Sequence, residues 1–268
     1  MGECSINIDI EFPKYPCEII SLDIQDMLMS HHPNIGSIAK RRIDENGNFI
    51  EAGNFEILNE PNQYKQFDMA KEAFQKKYGC RLIGSFTVKE VPGNFHVSTH
   101  AYQNLYSRLI IEGIITTVDT SHKIHDFYFG QKEAIDYVEK QHPEAELRRL
   151  RNTQKIKEMP TTPGHSFVSH YHIDVVPTIY EDSVVFGFTK TFQYTFSHNY
   201  AQVQHMPAVY FNYGVGGMIV DIYPNRISVL QFLIELCAII GGAYMIASIL
   251  DGVLNRLFKS GNQYELIS

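Results

Sequence analysis

GCRLIGSFTVKEVPGNFHVSTH, residues Gly79 to His100, reads as a strand, a turn and a second extended run. Between Leu82 and Val91 apolar residues recur often enough to form one half-buried β-face. Pro92-Gly93-Asn94 then supplies turn chemistry, because proline presets its own φ and glycine and asparagine accept conformations other residues avoid.

Other strands lie to either side. Ser5 to Phe12 alternates strictly, with Ile6, Ile8, Ile10 and Phe12 on one face and Ser5, Asn7, Asp9 and Glu11 on the other, the pattern of a strand covering a core on one side. Glu18 to Ile24 and Asn54 to Leu58 read as further strands, with Asn46-Gly47 as a hairpin turn between them. Ser166 to Phe196 is rich in Val, Ile, Phe, Tyr and Thr, with Glu181-Asp182 as its turn. Val209 to Ile222 adds another strand or two, interrupted at Gly214 to Gly217, where a bulge or turn explains the glycines. Two stretches change period. Phe67, Ala70, Phe74 and Tyr78 recur at helical spacing, with Gly79 placed as a C-cap, and about 131–158 is charged at four-residue spacing, as in Asp136 with Lys140 and Glu144 with Arg148, with Pro143 breaking it in two. The fold class predicted is mainly β: an antiparallel β-sandwich with helical insertions at about 61–78 and 131–158.

Ser228 to Leu250, SVLQFLIELCAIIGGAYMIASIL, is long enough to cross a bilayer and carries one charge, Glu235. Arg256 and Lys259 follow it closely and only Arg226 lies close before it, so the short C-terminus is predicted on the cytosolic side and the β domain in the lumen. The chain thus divides into a β-rich domain at 1–226, a transmembrane helix at 227–251 and a tail at 252–268. Ala238 and Gly242 form one four-residue pair of small residues, Ala243 and Ala247 another. Such spacing lets a second helix approach, and Glu235 in lipid calls for a polar partner or interfacial water.

A net charge of -7 with no basic stripe argues against a nucleic-acid partner. There is no Gly-x-Ser-x-Gly elbow, phosphate loop, dinucleotide fingerprint or His-Glu-x-x-His helix, and the four cysteines include no C-x-x-C, so no enzyme, cofactor or resident metal is predicted. Of the twelve histidines, His170 and His172 share one side of a strand without a third ligand nearby in sequence. A surface that titrates as compartments acidify is the stronger functional reading of these histidines, beside that of scattered surface residues without a role.

Several motifs, in order, resemble the endoplasmic reticulum vesicle protein family, the cargo receptors of the ER-Golgi intermediate compartment. They are Phe12-Pro13-x-x-Pro16-Cys17; Ser21, Asp23 and Asp26; Arg42-Ile43-Asp44 with Gly47; Gly79-Cys80 with Val91-Pro-Gly-Asn-Phe-His96; His122, Ile124, Phe127, Phe129 and Gly130; Val175-Val176-Pro177-Thr178; and Cys237 to Gly242. Phe127 and Tyr128 stand where the family usually has Leu-Ser, and the cysteine cluster that one family branch carries near 61–78 is absent. The resemblance spans roughly 5–258.

It implies a subunit of a cargo receptor cycling between ER, intermediate compartment and Golgi membranes. Its partners would be a homologous subunit, luminal cargo and, through Tyr264, Leu266 and Ile267 in the tail, coat proteins. It further implies a Cys17–Cys80 disulfide, with Cys4 left over. Family members carry another transmembrane helix upstream of the first strand, and none precedes Ser5 here, which points to a start lost upstream, with a tail-anchored chain and a cytosolic domain as the other arrangement. A structural or accessory subunit of a larger membrane complex, reusing the fold without carrying cargo, is the alternative function.

Overall fold

The computed structural model describes residues 2–26, 31–32, 38–50, 63–141, 166–181, 187–203, 206–223 and 228–261. The expected strand at Asn54 to Leu58, the second half of the charged insertion and the tail residues Tyr264, Leu266 and Ile267 lie outside the described residues. The elements in chain order are β1 (Glu3–Phe12), β2 (Ser21–Asp26), β3 (His31–His32), β4 (Ile38–Ile43), α1 (Gln63–Gln75), β5 (Gly79–Lys89) and β6 (Gly93–Ser98). A 3-10 turn (His100–Tyr102), α2 (Gln103–Ile111), β7 (Lys123–Phe129), α3 (Lys132–Gln141), β8 (Ser166–Glu181), β9 (Phe188–Val203), β10 (Ala208–Val215), β11 (Val220–Ile222) and α4 (Val229–Gly261) follow.

Two sheets face each other across one apolar core. The smaller is antiparallel, in the order β4-β5-β1-β7; the larger runs β11-β8-β10-β6-β2-β3, with β9 pairing β8. The alternation read in β1 is seen: Ile6, Ile8, Ile10 and Phe12 are buried. The larger sheet is mixed, because β10 and β11 run parallel to β8 while its other long pairings are antiparallel. No helical crossover is needed for that. The end of β9 (Val203 opposite Ser166) and the start of β10 (Ala208 opposite Val168) lie on either side of the same end of β8, about 10 Å apart, within reach of the link 204–207.

Several boundaries differ from the sequence reading: β6 already begins at Gly93, inside the expected turn, and α4 runs on to Gly261, past the expected end at 251. The strand expected from Glu18 begins at Ser21, because the chain first turns, with the Ile19 amide donating to the Pro16 carbonyl at 3.3 Å, to bring Cys17 beside β5. Gly79 is not a helix cap. Lys77 takes the left-handed conformation (φ 53), with Lys77 N–H donating to Phe74 O and Tyr78 N–H to Ala73 O, a Schellman motif ending α1. Gly79 opens β5 instead, and glycine is required there by close approach: a Cβ would fall 2.7 Å from the Pro13 carbonyl oxygen, with that of Phe12 nearer still.

Cys17 and Cys80 are joined in the structure, their Cα atoms 4.9 Å apart and 63 residues apart in sequence. Both are fully buried in the core cluster. Replacing both by alanine is expected to lower stability by about 2–5 kcal/mol, since a long loop is released in the unfolded chain. Denaturation of the purified full chain measures that loss, and mapping of unreduced peptides from native membranes checks the pairing itself.

Candidate functional site

Alternation along the strands sorts the larger sheet into two faces. Phe95, Val97, Val209, Phe211, Tyr171 and Ile173 point into the core. Their neighbours in sequence, Asn94, His96, Tyr210, Asn212, His170 and His172, therefore point outward.

Register aligns them into rows. One row across β2, β6, β10 and β8 is Asp23, His96, Tyr210 and His170; the next is Gln25, Asn94, Asn212 and His172. The rings stack: His96 on Tyr210 at 4.7 Å between centroids, Tyr210 on His170 at 5.1 Å, and His170 on His172 at 6.1 Å. Burial grades along this ladder. Asp23 and His96 are buried, Tyr210 and His170 are partly buried, and His172 is exposed.

The buried end is anchored by hydrogen bonds. Asp23 Oδ2 accepts from Ser21 Oγ at 3.3 Å and Ser98 Oγ at 3.4 Å, and His96 Nε2 lies 3.6 Å from it. Lys40 is buried nearby. It donates to the Ile20 carbonyl at 2.7 Å, and burial pushes its pKa down to about 8 against the opposing charges of Asp23 and Glu18. Glu18, also buried, accepts from Arg42 Nε at 2.8 Å, so neither charge is left alone in the interior.

The exposed end opens into a groove of about 440 Å³ whose polar lining comes from Gln25, Asn94, His172, Asp174 and Asn212. Amides, an imidazole and a carboxylate can exchange hydrogen bonds with a polar ligand such as an extended peptide. No activated nucleophile is among them. Elsewhere, Ser169 Oγ lies 2.6 Å from His198 Nε2, but Ser169 is fully buried and has no route to a substrate. Among the described residues no group of three His, Cys, Asp or Glu side chains is placed to hold a metal. Cys4 is buried with a free thiol, which desolvation pushes up to about 12.

On α4 the residues singled out from sequence separate into two stripes. At 100° per residue, Glu235, Ala238 and Gly242 fall within about 60° of one another, while Ala243 and Ala247 lie roughly 80–120° round from Glu235. Glu235 accepts a hydrogen bond from Gln231 Nε2 at 3.1 Å, and a Cβ at Gly242 would meet nothing within 4 Å. Residues Val229–Arg256 form a candidate membrane span of mean hydropathy 2.1, none of it buried.

A two-sheet β domain followed by one long apolar helix defines the class, a β protein with a candidate membrane anchor. The chain belongs to the endoplasmic reticulum vesicle transporter family, whose family model matches residues 54–251. It is 27% identical over 271 residues to endoplasmic reticulum-Golgi intermediate compartment protein 1 of Xenopus laevis, covering 99% of this chain and 76% of that protein. It is 24% identical to intermediate compartment protein 2 of Homo sapiens, over 68% of this chain and 46% of that protein. Protein disulfide-isomerase 5-4 of Arabidopsis thaliana matches at 25% over 70% of this chain and 38% of its own length; the present chain has no C-x-x-C. The crystal structure of Erv41p superposes with a TM-score of 0.51 at 18% identity, covering 82% of this chain and 94% of that one, a likeness of fold.

Sequence reasoning found His170 and His172 but missed Tyr210, Lys40 and the Glu18–Arg42 pair as parts of one polar network. The outward direction of His96 and Tyr210 was available from the apolar residues flanking each. That they share a row with His170 depends on parallel pairing, which no local pattern carries.

Burial first, and then the charge of His172, hold the His170 pKa below the ordinary histidine value. A histidine depressed on folding contributes stability above its unfolded pKa of about 6.5 and loses it as pH falls through the folded value. Replacing His172→Gln removes the like charge, so the His170 pKa should rise while remaining below the ordinary value, because burial persists. Imidazole NMR titration reads this directly.

Proposed function

We propose that this chain is one subunit of a cargo receptor that cycles between the ER and the Golgi. Its β domain binds cargo in the lumen and its tail meets coat proteins in the cytosol. The single observation that carries the reading is the family match at 54–251, which takes in strands of both sheets together with the apolar helix. The fold likeness to Erv41p and the intermediate-compartment relatives support it.

The outer ladder and its groove are the cargo-facing surface in this reading. They are polar, partly exposed and without an activated nucleophile, as suits binding rather than turnover. The homologous subunit packs against the stripe of Glu235, Ala238 and Gly242, where small side chains allow close approach and the carboxylate finds a polar partner. The Cys17–Cys80 bond fits an oxidising lumen.

Two experiments test the reading. The tagged full chain should locate to ER, intermediate-compartment and Golgi membranes, and protease added to sealed microsomes should trim only the tail; digestion of the β domain would reverse the topology. Gly242→Leu should reduce co-purification of a related subunit at least about tenfold, the effect of roughly 1.4 kcal/mol of lost packing, while the β domain keeps its fold. A wild-type chain that is monomeric in mild detergent and crosslinks to no related protein would overturn the subunit reading.

A further inference from the structure

One end of the larger sheet carries an apolar rim that the cargo-receptor reading leaves unused. β10 and β11 pair with the same strand, but Val215 lies opposite Val175 and Val220 opposite Thr178, so five steps of chain match three steps of β8. Two surplus residues must bulge out. Gly216 N–H anchors the excursion by donating to the Val175 carbonyl at 2.7 Å, and Met218 and Ile219 are thrown outward, 81% and 57% exposed. Phe188, at the start of β9, is 76% exposed. It sits opposite Glu181, one step past Tyr180, which pairs with Thr189 on one side and Ile222 on the other. Phe188 thus flanks the last residue of β8 on the β9 side, and Met218 and Ile219 flank β8 on the β11 side, level with Val176 and Pro177, four to five residues before that end. Single exposed apolar residues are ordinary, but several large ones along one rim mark a contact surface.

We propose that this rim, Phe188 with Met218 and Ile219, rests in the interfacial layer of the same bilayer that α4 spans, docking the β domain on the membrane. The argument for lipid as the occupant is covalent. Ile222 precedes Val229, the first residue of the apolar helix, by seven residues, so no more than about 25 Å of extended chain separates them. A side chain on so short a tether meets the membrane surface at high effective concentration, and Met, Ile and Phe gain by entering the boundary between headgroups and acyl chains. Charge selects the lipid. Among the described residues the exposed charges flanking the rim are Glu181 and Asp221, both acidic, and Lys190, whose ammonium is held by Glu90 at 2.6 Å. An anionic surface would be repelled, so the surface that fits is neutral, zwitterionic phospholipid.

The inference rests on α4 being a membrane span, and the test separates the two. The full chain, with Cys237→Ser to remove the exposed thiol, carries an environment-sensitive fluorophore at Met218→Cys, Phe188→Cys, Ile240→Cys or Tyr64→Cys. Each is placed one chain per phosphatidylcholine nanodisc with brominated acyl chains, so that no second copy can cover the rim. Quenching at Met218 and Phe188 at least about threefold stronger than at Tyr64 is expected for side chains seated 5–10 Å into the interface, unchanged by added salt because the contact is apolar. Quenching at Ile240 alone would overturn the docking while leaving the span intact. Absence of quenching at Ile240 would overturn the span and the docking together, and equal quenching at Tyr64 and Met218 would show that the rim has no privileged contact with lipid.

Discussion

The constraint on which the structure depends is a row of rings on the inner face of the larger sheet. Phe95 stacks on Phe211 at 4.6 Å and Phe211 on Tyr171 at 4.8 Å, both pairs within 5° of parallel, and His198 meets Tyr171 at 4.5 Å. Phe127 of the smaller sheet stacks on Phe95 and Phe211 and meets Tyr194 edge-on, locking the sheets face to face. A strand slipped by one residue would send its rings to the opposite face and bring polar groups into the core. The stack therefore fixes register across β6, β10, β8 and β9 at once.

The outer ladder follows from that row without further design. Once Phe95, Phe211 and Tyr171 are aligned inside, their sequence neighbours His96, Tyr210 and His170 are aligned outside. The dry row supplies the driving force and the wet row inherits its geometry. Around the ladder's buried end, Asp23, Lys40, Glu18 and Arg42 bring charges into the interior, which is tolerable because each has partners: hydroxyl donors for Asp23, a carbonyl for Lys40, and one another for Glu18 and Arg42. Cys17 sits one residue before Glu18, so the disulfide to β5 holds the turn from which this network starts.

Much of this was legible in the chain. Strict alternation announced β1, the turn after Val91 announced the passage from β5 to β6, and the unbroken apolar run from Ser228 announced α4, because each signal is local. The misread boundaries share a cause. Gly79 had the residue type of a helix cap, yet whether a glycine is needed for φ or for clearance depends on what lies against it, here the backbone of Phe12 at the end of β1 and of Pro13 just after it. The two parallel pairings on β8 were illegible for a related reason: β10 carries the same alternation whichever direction its neighbour runs. The polar network was hidden too, since Lys40 and Glu18 resemble surface charges until tertiary packing buries them.

The parallel pairing also explains the shape of the sheet's end. An antiparallel partner would have turned back after Val215, whereas a strand parallel to β8 continues in the direction β8 takes, and β11 extends that course to Tyr180. The two-residue surplus between β10 and β11 is absorbed where Gly216 and Gly217 impose no side chain, which leaves Met218 and Ile219 as the residues pushed out. Their exposure is thus a consequence of register. The ring stack that fixes β10 against β8 determines which residues face the core, which form the polar ladder, and which are displaced where the chain leaves the sheet.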